Sequence, residues 1–147
     1  MLVEQKQPTY LLDGDNLRLG INADLGFSAE DRTENVRRVS EIARLFADAG
    51  VVALVPLVSP YRAGRERARE IHKAADVPFF EVFMDTPLDV AESRDPKGLY
   101  KLAREGKIAN FTGISDPYEP PVDPDLVLDP TMGDPAEMGA MVLELLQ

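Results

Sequence analysis

The strongest constraint in this sequence is a repeated change of hydrophobic period. Short, nearly unbroken apolar runs alternate with segments whose apolar residues recur every three or four positions. The runs are Thr9 to Leu12 (TYLL), Val51 to Val58 (VVALVPLV) and Phe79 to Met84 (FFEVFM), with a shorter one at Leu126 to Leu128. Continuous apolar character marks strands covered on both faces. Pro56 removes a ladder donor and places its end of the second run at an edge or a bulge. Between the first two runs, Ser28 followed by Asp31 reads as a helix N-cap with an acid in the first turn. Val36, Val39, Ile42, Ala43 and Phe46 then recur at helical spacing until Gly50 supplies the stop.

Further helices are expected over Ala63 to Ala75, Leu88 to Ser93, Gly98 to Glu105 and Pro135 to Leu146. The first is rich in Arg and Glu, so its Arg65 to Arg69 stretch reads as a solvated face with His72 at the surface. Strand–helix–strand alternation implies an α/β fold with a mainly parallel sheet and right-handed crossovers. At 147 residues the chain suits one domain, 1–147, around a single core.

Composition removes several functional classes. With no cysteine and His72 as the only histidine, disulfide scaffolds, thiolate zinc sites and multi-histidine sites are excluded. The formal net charge is −10, and the segment from Ser115 onward has eight acids and neither Lys nor Arg. Phosphate neutralisation needs the opposite balance, so nucleic acid is not an expected partner. No apolar run approaches the roughly 20 residues of a membrane helix, and MLVEQKQPTY is not a secretory signal. A soluble cytoplasmic protein is the expectation.

In an open parallel sheet, ligands bind beyond the carboxyl ends of the strands. Three strands here end in polar sequence: Asp13-Gly14-Asp15-Asn16-Leu17-Arg18, Ser59-Pro60-Tyr61-Arg62 and Asp85-Thr86-Pro87. One rim would then hold acids, a hydroxyl and arginines, which suits a phosphorylated substrate accompanied by a metal. Strand alternation would splay Asp13 and Asp15 to opposite sides. One could order magnesium waters while the other accepts a hydroxyl proton; equally, Asp-Gly-Asp-Asn is ordinary turn chemistry.

Arg32 and Asn35 lie one turn before Val36 and Val39 on the core side of their helix. Arginine at a helix start opposes the macrodipole, a local cost that suggests a ligand role, whereas pairing with Asp31 or Glu34 is the plainer alternative. Phe27 and Phe111 sit in polar, glycine-containing loops, either as core plugs or as platforms for a flat purine. Arg94-Asp95-Pro96-Lys97-Gly98 reads as a mobile lid over phosphates or as a helix–helix turn.

Five ordered motifs bear on function: LDGDNLR (Leu12 to Arg18), N-x-DLGFS-x-x-DR-x-EN-x-RR (Asn22 to Arg38), SPYR (Ser59 to Arg62), RDPKGLY (Arg94 to Tyr100) and FTGIS-x-PYE-x-P (Phe111 to Pro120). Together they resemble the adenylylsulfate kinase family over nearly the whole chain up to about Asp129. The resemblance implies a P-loop-kinase-like three-layer sandwich that phosphorylates the 3′-hydroxyl of adenylylsulfate, with ATP as donor and Mg2+ as metal. It implies Asp13 beside the metal and Asp15 as general base, and Arg18, Arg32 and Asn35 around the phosphosulfate and ribose. It further implies Phe27 and Phe111 about the adenine and Lys97 reaching from the lid. Ser59 takes the position of a proposed phosphoserine intermediate, which direct in-line transfer does not require.

One departure from the family pattern stands out. No G-x-x-x-x-G-K-[ST] occurs in the sequence. The family places that loop, with its strand, ahead of a helix whose tail MLVEQKQ resembles. Without them the chain reads as an N-terminally truncated, partial domain with an uncovered sheet edge. Loss of the phosphate cradle should cost on the order of 10³-fold or more in rate. The alternative function is a non-catalytic nucleotide-binding or regulatory remnant. Its uncovered edge would suit pairing with a second copy, as a homodimer, or with ATP sulfurylase.

Overall fold

The computed structural model describes residues 2–146, which divide into two compact units meeting in sequence at Phe79 and Phe80. In the first unit, β1 (Thr9–Leu11) runs parallel to β2 (Val52–Leu54), in register from Thr9↔Val52 to Leu11↔Leu54. The Leu12 N–H continues the ladder to the Leu54 carbonyl at 2.8 Å. The run expected to be strand as far as Val58 leaves the sheet after Leu54. Pro56 has no N–H to give, and the Leu57 N–H turns back to the Val55 carbonyl at 2.9 Å. Apolar residues 55–58 thus form a loop, not a ladder.

Between the strands lie α1 (Gly14–Arg18) and α2 (Ala29–Asp48). Ser28 caps α2 as expected, its Oγ accepting the Asp31 N–H at 3.1 Å. The stop is a glycine in the left-handed region: Gly50 has φ +79°, and the Val51 N–H returns to the Phe46 carbonyl at 2.9 Å. The helical stripe buries Val39 and Ala43 with Leu12, and Leu17, Ile42, Phe46, Ala53 and Leu57 pack around them. Tyr10 stacks on Phe46 with ring centroids 4.9 Å apart. At the amino end, the Gln7 and Lys6 N–H groups bond to the Leu2 and Val3 carbonyls, and Lys6 has φ +59°. That is the hydrogen-bond pattern of a helix's last turn, as the resemblance suggested; Met1 lies outside the described residues.

Helix α3 (Arg62–Ala74) packs against α2, with Gly64 beside Val36. The solvated helix face expected here is a correction. Arg65, Ala68 and His72 form one buried face at i, i+3 and i+7, with Arg65 only 8% and His72 only 4% exposed. His72 is not at the surface: its Nδ1 lies 2.8 Å from the Ala68 carbonyl, and its ring meets Phe79 at 5.1 Å. Its burial is tolerated because the ring nitrogen is hydrogen-bonded within its own helix.

The second unit has its own parallel pair, β3 (Val82–Met84) with β4 (Leu126–Leu128), shorter at its start than the Phe79 to Met84 run suggested. Its helices are α4 (Leu88–Arg94), α5 (Leu99–Arg104) and α6 (Pro135–Glu144). Asp134 and Glu137 close a reciprocal capping box on α6. Pairing is parallel throughout, as the alternation implies. Among the described residues, however, the strands form two separate pairs instead of one hydrogen-bonded sheet, since no strand bonds to members of both.

Candidate functional site

The carboxyl ends of β1 and β2 open into a cavity of about 230 Å³ in the first unit. After Leu12 the chain turns at once into α1, with Asp13 as its N-cap: one carboxylate oxygen accepts the Asp15 N–H at 2.8 Å and the Asn16 N–H at 3.2 Å. This overturns the expected splaying of the two acids. Helical turning, not strand alternation, governs the segment, and Asp13 and Asp15 line the same cavity. Turn chemistry and proximity to a site therefore coexist in Asp13.

Arg18 ends α1, and its Nη1 donates to the carbonyls of Leu25 at 2.9 Å and Gly26 at 2.8 Å. Its guanidinium carbon lies 4.3 Å from the centroid of Phe27. Arg32 approaches the same residue, its Nε donating to the Phe27 carbonyl at 3.2 Å. Burial, and next the neighbouring Arg32 charge, hold the Arg18 pKa below its usual value. Phe27 is 57% exposed, so it is not a core plug; its ring remains available at the cavity.

The loop carrying Phe27 is also fastened to α2 from outside. Arg38 makes a bidentate pair with Asp24 at 2.7 and 2.9 Å, and it donates to the Ile21 carbonyl at 3.1 Å. Its Nε reaches Glu34 at 2.8 Å, and Arg37 grips the same carboxylate. Hydrogen bonds from Arg37 and then Arg38 pull the Glu34 pKa down to about 2. Asn35, facing the cavity from α2, accepts a hydrogen bond on Oδ1 from Asn22 Nδ2 at 3.0 Å.

On the cavity's far wall, Ser59 holds φ +42°, an uncommon left-handed conformation for a serine. Arg65 supports it by donating from Nη1 to the Ser59 carbonyl at 2.7 Å. Gly14 and Leu57 meet closely in the same wall, where a Cβ on Gly14 would come within 2.8 Å of Leu57 Cδ2.

Of the sequence-derived candidates, Asp13, Asp15, Arg18, Phe27, Arg32, Asn35 and Ser59 share this cavity. Lys97 and Phe111 belong to the second unit. Lys97 is exposed in the turn before α5, where the Asp95 carboxylate accepts the Tyr100 and Lys101 N–H groups. Phe111 is half-buried edge-on to Tyr100, with centroids 4.9 Å apart. Sequence reasoning missed Asn22 and Arg65. A fully buried asparagine in a polar loop leaves no periodic signal, but the spacing of Arg65 with Ala68 and His72 could have revealed an inward face.

Chemically, the cavity joins two carboxylates, two guanidinium groups and an aromatic face. Among the described residues no cluster of three His, Asp or Glu side chains could enclose a metal. The two acids still fit Mg2+, which keeps most of its waters and takes one or two carboxylates beside substrate phosphates.

The sequence profile of the family described as Adenylylsulphate kinase matches residues 1–129. The chain is 52% identical over 146 residues to an adenylyl-sulfate kinase of Saccharomyces cerevisiae, covering 99% of this chain and 72% of that protein. It is 55% identical to the chloroplastic adenylyl-sulfate kinase 1 of Arabidopsis thaliana, covering 97% of this chain and 51% of that protein. Among solved structures, it resembles the Mycobacterium tuberculosis APS kinase CysC in complex with AMPPNP and APS. That match has a TM-score of 0.96 and 53% identity, over 99% of this chain and 83% of the other.

Proposed function

Since this chain belongs to the adenylylsulfate kinase family, we propose that its cavity receives adenylylsulfate for ATP-dependent phosphorylation of the 3′-hydroxyl. The product is 3′-phosphoadenylylsulfate, and the compartment in this reading is the cytoplasm. The observation that carries it is the convergence of seven motif residues, separated by up to 46 positions, on one cavity. At about 230 Å³ that cavity is smaller than the roughly 300–1,000 Å³ of sites enclosing a whole ligand. It suits the ribose and its charged substituents better than an entire nucleotide.

In this reading Arg18, Arg32 and Asn35 hold the phosphosulfate and ribose, and Phe27 stacks on the adenine. Asp15, on the exposed first turn of α1, takes the proton from the 3′-hydroxyl. Asp13 and Asp15 would hold Mg2+ through its waters, and the ion would offset charge on the transferred phosphoryl group. Ser59 lines the acceptor pocket without becoming phosphorylated, because in-line transfer balances without a covalent intermediate. ATP sulfurylase and a second copy of the chain are the partners this reading admits.

A second reading rests on the cavity itself, whose lining offers Arg18 and Arg32 to bind an anionic nucleotide. The chain would then bind nucleotide without turning it over. Calorimetry with adenylylsulfate, followed by an assay for 3′-phosphoadenylylsulfate with Mg-ATP, separates the two. Binding with product supports the kinase, and binding without product supports the non-catalytic module. Failure to bind adenylylsulfate overturns the assignment of the cavity.

A further inference from the structure

We propose that Asn22 is a positioning residue for the acceptor site, fixing which face of the Asn35 amide is turned to the ligand. The proposal rests on the reading of the cavity as the adenylylsulfate site. Asn22 is 0% exposed, and its Nδ2 donates to Asn35 Oδ1 at 3.0 Å; Asn35 itself is 7% exposed and lines the cavity. With its carbonyl engaged, the polar group that Asn35 has left to offer is its amide N–H2, which donates to no protein group among the described residues. Ribose hydroxyl, phosphate and sulfate oxygens all accept from such a donor. A reversed amide would present a carbonyl to them and repel an anion.

The main chain makes Asn22 a rigid support. Its N–H donates to the Leu17 carbonyl at 2.9 Å, its carbonyl accepts the Leu25 N–H at 3.1 Å, and Arg38 holds Ile21 and Asp24 on either side. Asn22 Oδ1 is buried with no partner among the described residues. An orphaned carbonyl is tolerated more readily than orphaned N–H groups, so the pair settles with Asn22 as donor. Asn22 touches neither ligand nor reacting atoms; it acts through Asn35.

The test is a double-substitution cycle on the whole chain, read by calorimetry with adenylylsulfate and by thermal unfolding. Asn22→Asp offers only acceptors, so Asn35 must turn its amide inward. Affinity should fall about tenfold, the worth of one well-placed hydrogen bond. In an Asn35→Ala background the same substitution should cost no further affinity. An equal loss in both backgrounds, or full affinity in a folded Asn22→Asp variant, overturns the proposal and leaves the acceptor-site reading intact. Loss of binding by the unsubstituted chain overturns both. Should Asn22→Asp not fold, side-chain amide NMR on the unsubstituted chain decides. Asn35 amide protons should shift on titration with adenylylsulfate while those of Asn22 exchange slowly throughout. Unmoved Asn35 signals or rapid Asn22 exchange would contradict the proposal.

Discussion

The guanidinium of Arg18 lies 4.3 Å from the centre of the Phe27 ring while it also donates to the carbonyls of Leu25 and Gly26. One side chain thus sets both the path of the loop and the attitude of the aromatic at its end. Because Phe27 is mostly outside the core, Phe27→Ala should cost less than about 1 kcal/mol of stability. Base–aromatic stacking is worth about 1–3 kcal/mol, so adenylylsulfate affinity should fall roughly 5- to 150-fold. Calorimetry beside a melting curve checks this. A fall in melting temperature matching the affinity loss would make Phe27 a packing residue.

Asp13 combines a cap and a charge, and two substitutions separate them. Asparagine caps a helix as well as aspartate does, so Asp13→Asn should melt within about 0.5 kcal/mol of the parent. Asp13→Ala, which loses the bonds to the Asp15 and Asn16 N–H groups, should cost about 0.5–2 kcal/mol. If Asp13 lies beside Mg2+, both variants should weaken the magnesium dependence of nucleotide binding to a similar extent. Normal magnesium dependence in Asp13→Asn would leave Asp13 a cap alone.

Glu34 gives a pH signature. Its carboxyl titrates at about 2 in the folded chain against an ordinary value of 4.5, held down by Arg37 and Arg38. The unfolded chain binds the proton more readily, so the contribution is complete above pH 4.5 and is lost as pH falls towards about 2. Unfolding temperatures from pH 7 to 2 should therefore decline less steeply for Glu34→Gln than for the parent in that window. Asp24, lowered by the same Arg38, leaves a residual slope in the variant. Identical slopes would exclude the Glu34 pairs as a source of acid sensitivity.

Arg65→Met keeps the bulk of the buried stem but deprives the Ser59 carbonyl of its 2.7 Å donor. Leaving that acceptor unpaired should cost about 1–3 kcal/mol, or roughly 2–10 °C for a chain of this size. Hydrogen exchange should quicken locally over residues 55–61. Protection unchanged there would show that the left-handed Ser59 is held by its neighbours alone.

Much of the secondary structure was legible because it is encoded locally. The Ser28 cap, the Gly50 stop and the apolar stripe of α2 each act within a few residues of their own position. The longest apolar run misled, since Val55 to Val58 looked like strand while Pro56 diverted it into the cavity wall. Asp13 and Asp15 mislead likewise, because strand alternation ends before α1 begins at Gly14.

The sequence by itself determined the alternation of elements, the parallel pairing and the family, because hydrophobic period and ordered motifs are properties of the linear chain. Tertiary structure alone decided that residues of α1, α2 and the loop after β2 share one cavity, and that a buried Asn22 bonds to Asn35. These depend on distances between residues 13 to 46 positions apart, set only once helices and strands pack, and no linear pattern records them.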